Sequence, residues 1–454
     1  MAMDIGFETI GNATIVCYDH APILVTDPWI VGDAYFGSWT LSHEIPEDIM
    51  SAILRARFIW ISHGHPDHLS MESLELLRGK QILLPDHVGN RILNDLSAAG
   101  FHVTVLRDYE WHSLSDHIRV MSIADYNQDA ILLIDINGRL IFNANDAFDH
   151  GWAPHVRRII RQYDVSFLMA LSGFGDSDMI HFYTEDGTFI QPQAARRDPV
   201  GVQLAYMAHQ WGTRYVVPFS SMHRYQRSDS FWADAYTTRI PDYEVGFASD
   251  RATLMPAFLR YDCERDRAET INPLERDVQV RPSDAFGDRW DEPLTAEDQH
   301  KLTHYFQSIA HLAERFDFLN FRVGGNDHII PLATRHFNRA ITFEAPRGSL
   351  MTAVEYGVFD DMLIANFMKT TLHGQHPAPN LYPDFEPFVA KYADNGNARS
   401  KEEVIQYFRE YRRRAPIDFF RHHLSQKSMD VFRQLVPPGS PGWKIARQAY
   451  HLIR

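Results

Sequence analysis

The run "FIWISHGHPDHLS", residues 58–70, sets three histidines and an aspartate within six positions, directly after an apolar stretch. Whatever this chain folds into must deliver a buried strand onto a polar edge rich in metal donors. The apolar half has the length and β-rich composition of a fully buried strand. Side chains two apart on an extended segment share a face, so His63 and His65 can grip one ion as the strand ends. Asp67 and His68 lie beyond Pro66, at the approach to a helix, and can face a second ion. Imidazole with carboxylate suits zinc, iron or manganese. The plain alternative is a histidine-rich surface turn. With 24 histidines in the chain one chance pair would mean little, but a four-donor HxHxDH run at a strand exit means more.

Around this run the first 150 residues read as short strands and helices. "FETIGNATIVCYD" and "PILVTDPWI" predict a hairpin ending at Asp27. "SMESLELLRG" predicts a helix capped by Ser70 and ending at Gly79. "KQILLPD" and "HVTVL" return as strands with the helix "VGNRILNDLSAAG" between them. Strands over 118–124 and 130–136 lead through the turn "NG" into "RLIFNAND". The alternation predicts α/β layers. It resumes from 155 with "VRRIIRQY", "VSFLMAL", a glycine-rich loop at 173–178, "VGVQLAYMAHQWG" and "RYVVPFS". At 454 residues the chain exceeds an ordinary single domain. The expected division is a metal-binding domain over 1–263, a charged, turn-rich linker or excursion over 264–300, and a largely helical, mixed α/β extension over 301–454.

Composition narrows the partners. A net charge of −15 argues against a nucleic-acid surface. The two cysteines, Cys17 and Cys263, are far apart and outside any CxxC pattern. A disulfide framework, a thiolate zinc site and an iron–sulfur cluster are therefore not expected. The N-terminus lacks a secretory pattern, and no apolar run reaches 18 residues. A cytoplasmic protein without membrane contact is the expectation.

The HxHxDH run, in this setting, resembles the signature of the metallo-β-lactamase superfamily. "LVTDPW" resembles that family's early strand with a supporting aspartate, Asp27. "RLIFNANDA" resembles the strand delivering a bridging carboxylate, Asp146, and "RYVVPFSSMH" the late strand before a final histidine, His223. The resemblance covers about residues 5–235. It implies an αββα sandwich with a two-metal site at one edge.

Two departures carry information. Hydrolases of the superfamily place a third histidine for the first metal after the strand matching "IRVMSIA". Here that place reads "DYNQDA", offering Asp125 and Asp129. Either a carboxylate replaces the histidine, which favours iron or manganese over zinc, or an aspartate orients a ligand from behind. His112 and His117 precede the strand and read as surface residues; His87 and His102 have no support beyond their type. The second departure is "NAND" in place of a glycine–aspartate ending. With "WTLS", "VVPFSS" and "VEYGVFDDMLIANFMKT" (354–370), it is similar to the metallo-β-lactamase-like domain of the CMP-N-acetylneuraminate hydroxylases. It is also similar to the non-haem diiron monooxygenases of natural-product pathways, among them the platensimycin-type terpenoid hydroxylase. This chain has no Rieske-type Cys/His pairs, which argues against a sugar-nucleotide substrate and for an external electron donor.

What the resemblance implies is a diiron monooxygenase that hydroxylates a small molecule with dioxygen. His63, His65 and an acid from 125–129 would hold one iron; Asp67, His68 and His223 would hold the other; Asp146 would bridge. The alternative is a dinuclear zinc or manganese hydrolase acting on an ester, lactone or phosphodiester. Read without the family, 340–374 is a strand, a turn and helices that either pack the core or roof a pocket.

Overall fold

The computed structural model describes residues 4–175, 179–333, 335–376 and 379–424. Two sheets lie face to face. From edge to edge the first runs Arg267–Thr270, Leu259–Asp262, Ile5–Ile10, Thr14–Asp19, Ala21–Thr26, Phe58–Trp60, Gln81–Leu84, His102–Val105. The second runs Thr253–Leu254, Tyr215–Phe219, Ser166–Leu171, Arg139–Asn145, Ala130–Ile136, Ile118–Ala124, His112–Ser113. Phe7, Trp60, Ile134, Ile141, Phe167 and Val217 pack between them. Each such burial stabilises by roughly 1.5–3 kcal/mol. The strand "AILLIDI" is buried at every position, as a central strand covered on both faces must be.

Helices cover the outer faces. Ile49 and Ile53 of Glu47–Arg55, Leu74 of Met71–Leu76 and Leu96 of Arg91–Ala98 pack on the first sheet. Val156, Ile159 and Ile160 of Ala153–Ile160 pack on the second. Ser70 caps its helix as expected, accepting from the Ser73 amide. The layers are therefore helix, sheet, sheet, helix: an αββα sandwich.

Parallel pairing places the functional edge. Thr26 pairs with Trp60 in the first sheet; in the second, Leu140 pairs with Ser166 and Phe167 with Tyr215. The carboxyl ends of these strands thus emerge on one side. Three of the residues that leave them, Asp27, Asn145 and Ser220, have left-handed φ values of 38°, 52° and 54°. Non-glycine residues pay for that conformation, and such positions gather at functional sites.

The first sheet does not stop at 263. Arg267–Thr270 pairs antiparallel with Leu259–Asp262, and bridges join His43 to Glu275 and Arg227 to Arg281. The stretch expected as a linker or excursion is laid along the sandwich, where its backbone groups find partners. The extension also holds more strand than its sequence suggests. A five-stranded sheet runs His181–Tyr183, Lys369–Gly374, Arg339–Glu344, Phe318–Val323, Asn326–Pro331, taking its first strand from the sandwich half. Its core, with Phe306, Phe343, Phe359 and Phe385, is continuous with Trp29, Tyr35, Trp39 and Tyr225 of the sandwich. No helix among the described residues is long and apolar enough to cross a membrane. Positions 176–178 of the glycine-rich loop, and everything after 424, lie outside the described residues.

Candidate metal centre

The HxHxDH run occupies the loop between strand Phe58–Trp60 and helix Met71–Leu76. Two anchors shape it. The Ser62 amide donates to Asp27 Oδ1 at 2.7 Å, and the His68 and Leu69 amides close a turn on the His65 carbonyl. His63 Nε2 and His65 Nδ1 then stand 2.9 Å apart, close enough to share one ion, as their i, i+2 spacing predicts. His68 is fully buried. Its Nε2 lies 3.3 Å from Asp67 Oδ2 and 3.6 Å from Asp146 Oδ2, and its Nδ1 lies 3.2 Å from Asp27 Oδ2. Donor atoms of His63, His68 and Asp146 all fall within 4.8 Å of one another.

The carboxylates are held from behind. Asp67 accepts from Asn12 Nδ2 at 2.8 Å and from the Tyr35 hydroxyl at 2.5 Å. Asp146 accepts from the Ser220 hydroxyl at 2.5 Å. Asn145 Nδ2 donates to Asp27 Oδ2 and Ser62 Oγ, which gives the asparagine of "NAND" a structural task. His223 pairs with Leu41 in a short antiparallel ribbon, and its ring lies flat on Trp39 with centroids 3.5 Å apart. Burial pushes its pKa down to about 4, against the pull of Asp67 and Asp146.

The two candidate acids differ. They close the hairpin between Ile118–Ala124 and Ala130–Ile136, with the Asp125 amide on the Asp129 carbonyl. Burial and then the Asp129 charge raise the pKa of Asp125 well above the usual carboxylate range. For Asp129, burial raises the pKa while Lys391 and then His65 lower it, and Asp146 acts on it too. Asp129 thus shares the electrostatic environment of the histidines. Asp125 accepts from the Asn127 amide on Oδ1 and leaves Oδ2 buried without a hydrogen-bond partner among the described residues, while Asp129 accepts from Asn127 Nδ2 on Oδ2 at 3.1 Å.

Several groups here carry no motif that sequence reasoning could have used. His65 Nε2 lies 3.0 Å from Asp360 Oδ2, and Lys391 Nζ lies 3.3 Å from the same oxygen. Asp360 and Asp361 stand in the helix Phe359–Ile364. Their only sequence signal is an acid pair inside the apolar stretch "VFDDMLI". Burial raises the Asp361 pKa to about 7. His87, set aside in the sequence, is buried with Nε2 donating to the Ser62 carbonyl at 3.0 Å; burial lowers its pKa to about 4. His102 is exposed, and His117 is half-buried against Asp19.

The donor set fits a cation. Asp67, Asp129, Asp360 and Asp361 are buried and Asp146 is partly so, and Lys391 is paired with Asp360. Buried carboxylates without counter-charge are costly. Both ring nitrogens of His223 and Oδ1 of Asp360 are buried without a hydrogen-bond partner among the described residues. Atoms left so in a native fold call for an ion or water.

No protein-family model matches the chain. It is similar in sequence to the cytidine monophosphate-N-acetylneuraminic acid hydroxylase of Danio rerio, 33% identical over 164 residues. That stretch is 32% of this chain and 28% of that protein. The hydroxylase of the same name from Asterias rubens is 30% identical over 154 residues, 30% and 24% of the two chains. This chain thus spans about a quarter of the length of the curated relatives it matches. Among solved structures, it is similar to CmlA, a diiron β-hydroxylase from Streptomyces venezuelae, with 15% identity and a TM-score of 0.31 over 48% of this chain and 45% of that one. Likeness of that depth carries no argument about activity.

Proposed function

We propose that the chain is a metal-dependent hydroxylase, a dinuclear non-haem iron monooxygenase acting on a small molecule with dioxygen and an external electron donor. The observation that carries this reading is the carboxylate at the place where metallo-hydrolases of this superfamily keep a histidine. Asp129 stands in the electrostatic reach of His65 and Asp146. A carboxylate-rich donor set is hard and favours iron or manganese over zinc. The sequence match to hydroxylases supports the same reading over its third of the chain.

In this proposal His63, His65 and Asp129 would hold one iron, Asp67, His68 and His223 would hold the other, and Asp146 would be shared between them. Reduced iron would supply the activation of dioxygen. The residues around it do the rest. Asn12 and Tyr35 hold Asp67 in place, and Ser220 does the same for Asp146. The Trp39 ring covers one face of His223 and keeps water from it.

The test uses the full chain reconstituted anaerobically with ferrous ion. About two irons per chain are expected, together with an optical change when dioxygen oxidises the reduced protein. Stoichiometric zinc that supports ester or phosphodiester turnover, beside iron-loaded protein inert to dioxygen, would place the hydrolase alternative first.

A further inference from the structure

His65 uses its two ring nitrogens for different tasks. Nδ1 lies 2.9 Å from His63 Nε2. Nε2 is committed to Asp360 Oδ2 at 3.0 Å. A metal-bound histidine commonly donates its second N–H to a carboxylate, which fixes the tautomer and the ring angle and raises ligand basicity. His68 is held the same way from the opposite ring atom, with Nδ1 on Asp27. Asp27 belongs to the sandwich, but Asp360 belongs to the extension, nearly 300 residues further along the chain. Asp360 is itself buried, and its Oδ2 lies 3.3 Å from Nζ of the buried Lys391. Lys391 sits in the π-helix Pro387–Asn395, a wide turn that is rare in proteins and recurs at functional sites.

We infer that Asp360 and Lys391 form a positioning pair by which the C-terminal extension orients His65 and so controls occupancy of the first metal position. This rests on the dinuclear reading above. Asp360 accepts a hydrogen bond from Nε2–H, which leaves the Nδ1 lone pair for the metal. Lys391 neutralises Asp360 and fixes its angle. The second metal position, built on His68 and Asp27, does not depend on this pair.

The test is a titration of the full-length metal-free protein with cobalt(II), whose visible bands report each position separately. The surface cluster of Asp19, His20 and His117 also brings donor atoms within 4.8 Å and can take up cobalt. The titration is therefore run on a His117→Ala background, which leaves the centre intact. Two cobalt ions per chain are expected before any further change. Asp360→Asn should weaken one of them roughly 10- to 100-fold and leave the other unchanged. Lys391→Met should weaken the same ion by less. Asp360→Glu keeps the charge, so two ions should bind, with the bands of one displaced. If Asp360→Asn fails to fold, the Glu variant decides: wild-type bands there would overturn the inference. Two ions at wild-type affinity in Asp360→Asn would overturn it as well. A parent protein that binds fewer than two ions would instead remove the dinuclear reading beneath it.

Discussion

His65 and His68 stand three residues apart, yet they are held by different parts of the molecule. His68 is fully buried and gripped by Asp27, a residue leaving the adjacent strand of the same sheet. The side chain of His65 keeps 12% exposure and is gripped by Asp360, from a helix of the extension. His68 thus takes its carboxylate partner from the sandwich, and His65 takes its own from the extension. The extension therefore contributes a partner to the histidine cluster as well as apolar cover.

The largest effect should come from removing the extension. Truncation before residue 300 would strip Phe306, Phe343, Phe359 and Phe385 from the rim formed by Trp29, Tyr35 and Trp39. A large exposed apolar patch follows, and insoluble protein is expected. A soluble truncation that binds two metals would break the comparison outright.

Next come the histidines themselves. His68→Ala leaves Asp27 buried without its imidazole, which should cost roughly 3–5 kcal/mol of stability in the metal-free protein. His65→Ala leaves Asp360 paired with Lys391, so its cost should be about 1 kcal/mol. Both should abolish turnover. Chemical denaturation of the two metal-free variants gives the comparison, and equal losses would show that the halves are not separately built.

A smaller and more selective effect should separate Asp125 from Asp129. Burial and then the neighbouring Asp129 charge raise the Asp125 pKa and so favour its neutral form. Asparagine mimics a protonated acid, so Asp125→Asn should change metal content little. Asp129→Asn should lower affinity for one metal roughly 10- to 100-fold, and Asp129→His should tilt the site towards zinc. Metal analysis of the three purified variants decides. If neither Asn variant shifts metal content, the argument for iron over zinc falls.

What the sequence made legible follows from spacing. His63, His65, Asp67 and His68 lie within one strand exit, and Asp146 and His223 follow recognisable strands; all six meet in space or in electrostatic reach. The sandwich was legible for the same reason, since a buried strand such as "AILLIDI" leaves a run that is apolar at every position but Asp135. Asp360 and Lys391 were not legible. Their partner is far away in sequence, and a buried Asp–Lys pair has no local pattern to distinguish it from solvated charge. The strand His181–Tyr183 was missed because it is three residues long and pairs with Lys369–Gly374, far along the chain.

The gentlest test of the comparison is acid. His150 rings lie near Tyr126 and His422, where the sandwich meets the C-terminal segment. Burial, and then the charge of His422, lower its pKa to about 3. His181, in the sheet shared by the two halves, is lowered by burial to about 4. In the unfolded chain both titrate near 6.5. Between those values the unfolded state binds protons that the folded state lacks, so stability is complete above pH 6.5 and is lost as pH falls towards 3 or 4. The slope is at most about 1.4 kcal/mol per pH unit for each histidine. His87 and His223 add to the total from within the centre, so the informative quantity is a difference between proteins. Metal-free His150→Asn should unfold thermally with a shallower dependence between pH 6.5 and 4.5 than the parent, and His181→Asn likewise. Because both sit at the seam, protease cleavage of the extension should become detectable at a higher pH than cleavage of the sandwich. Simultaneous release of both halves at one pH would mean that the extension is no looser than the sandwich, and that His65 is held as firmly as His68.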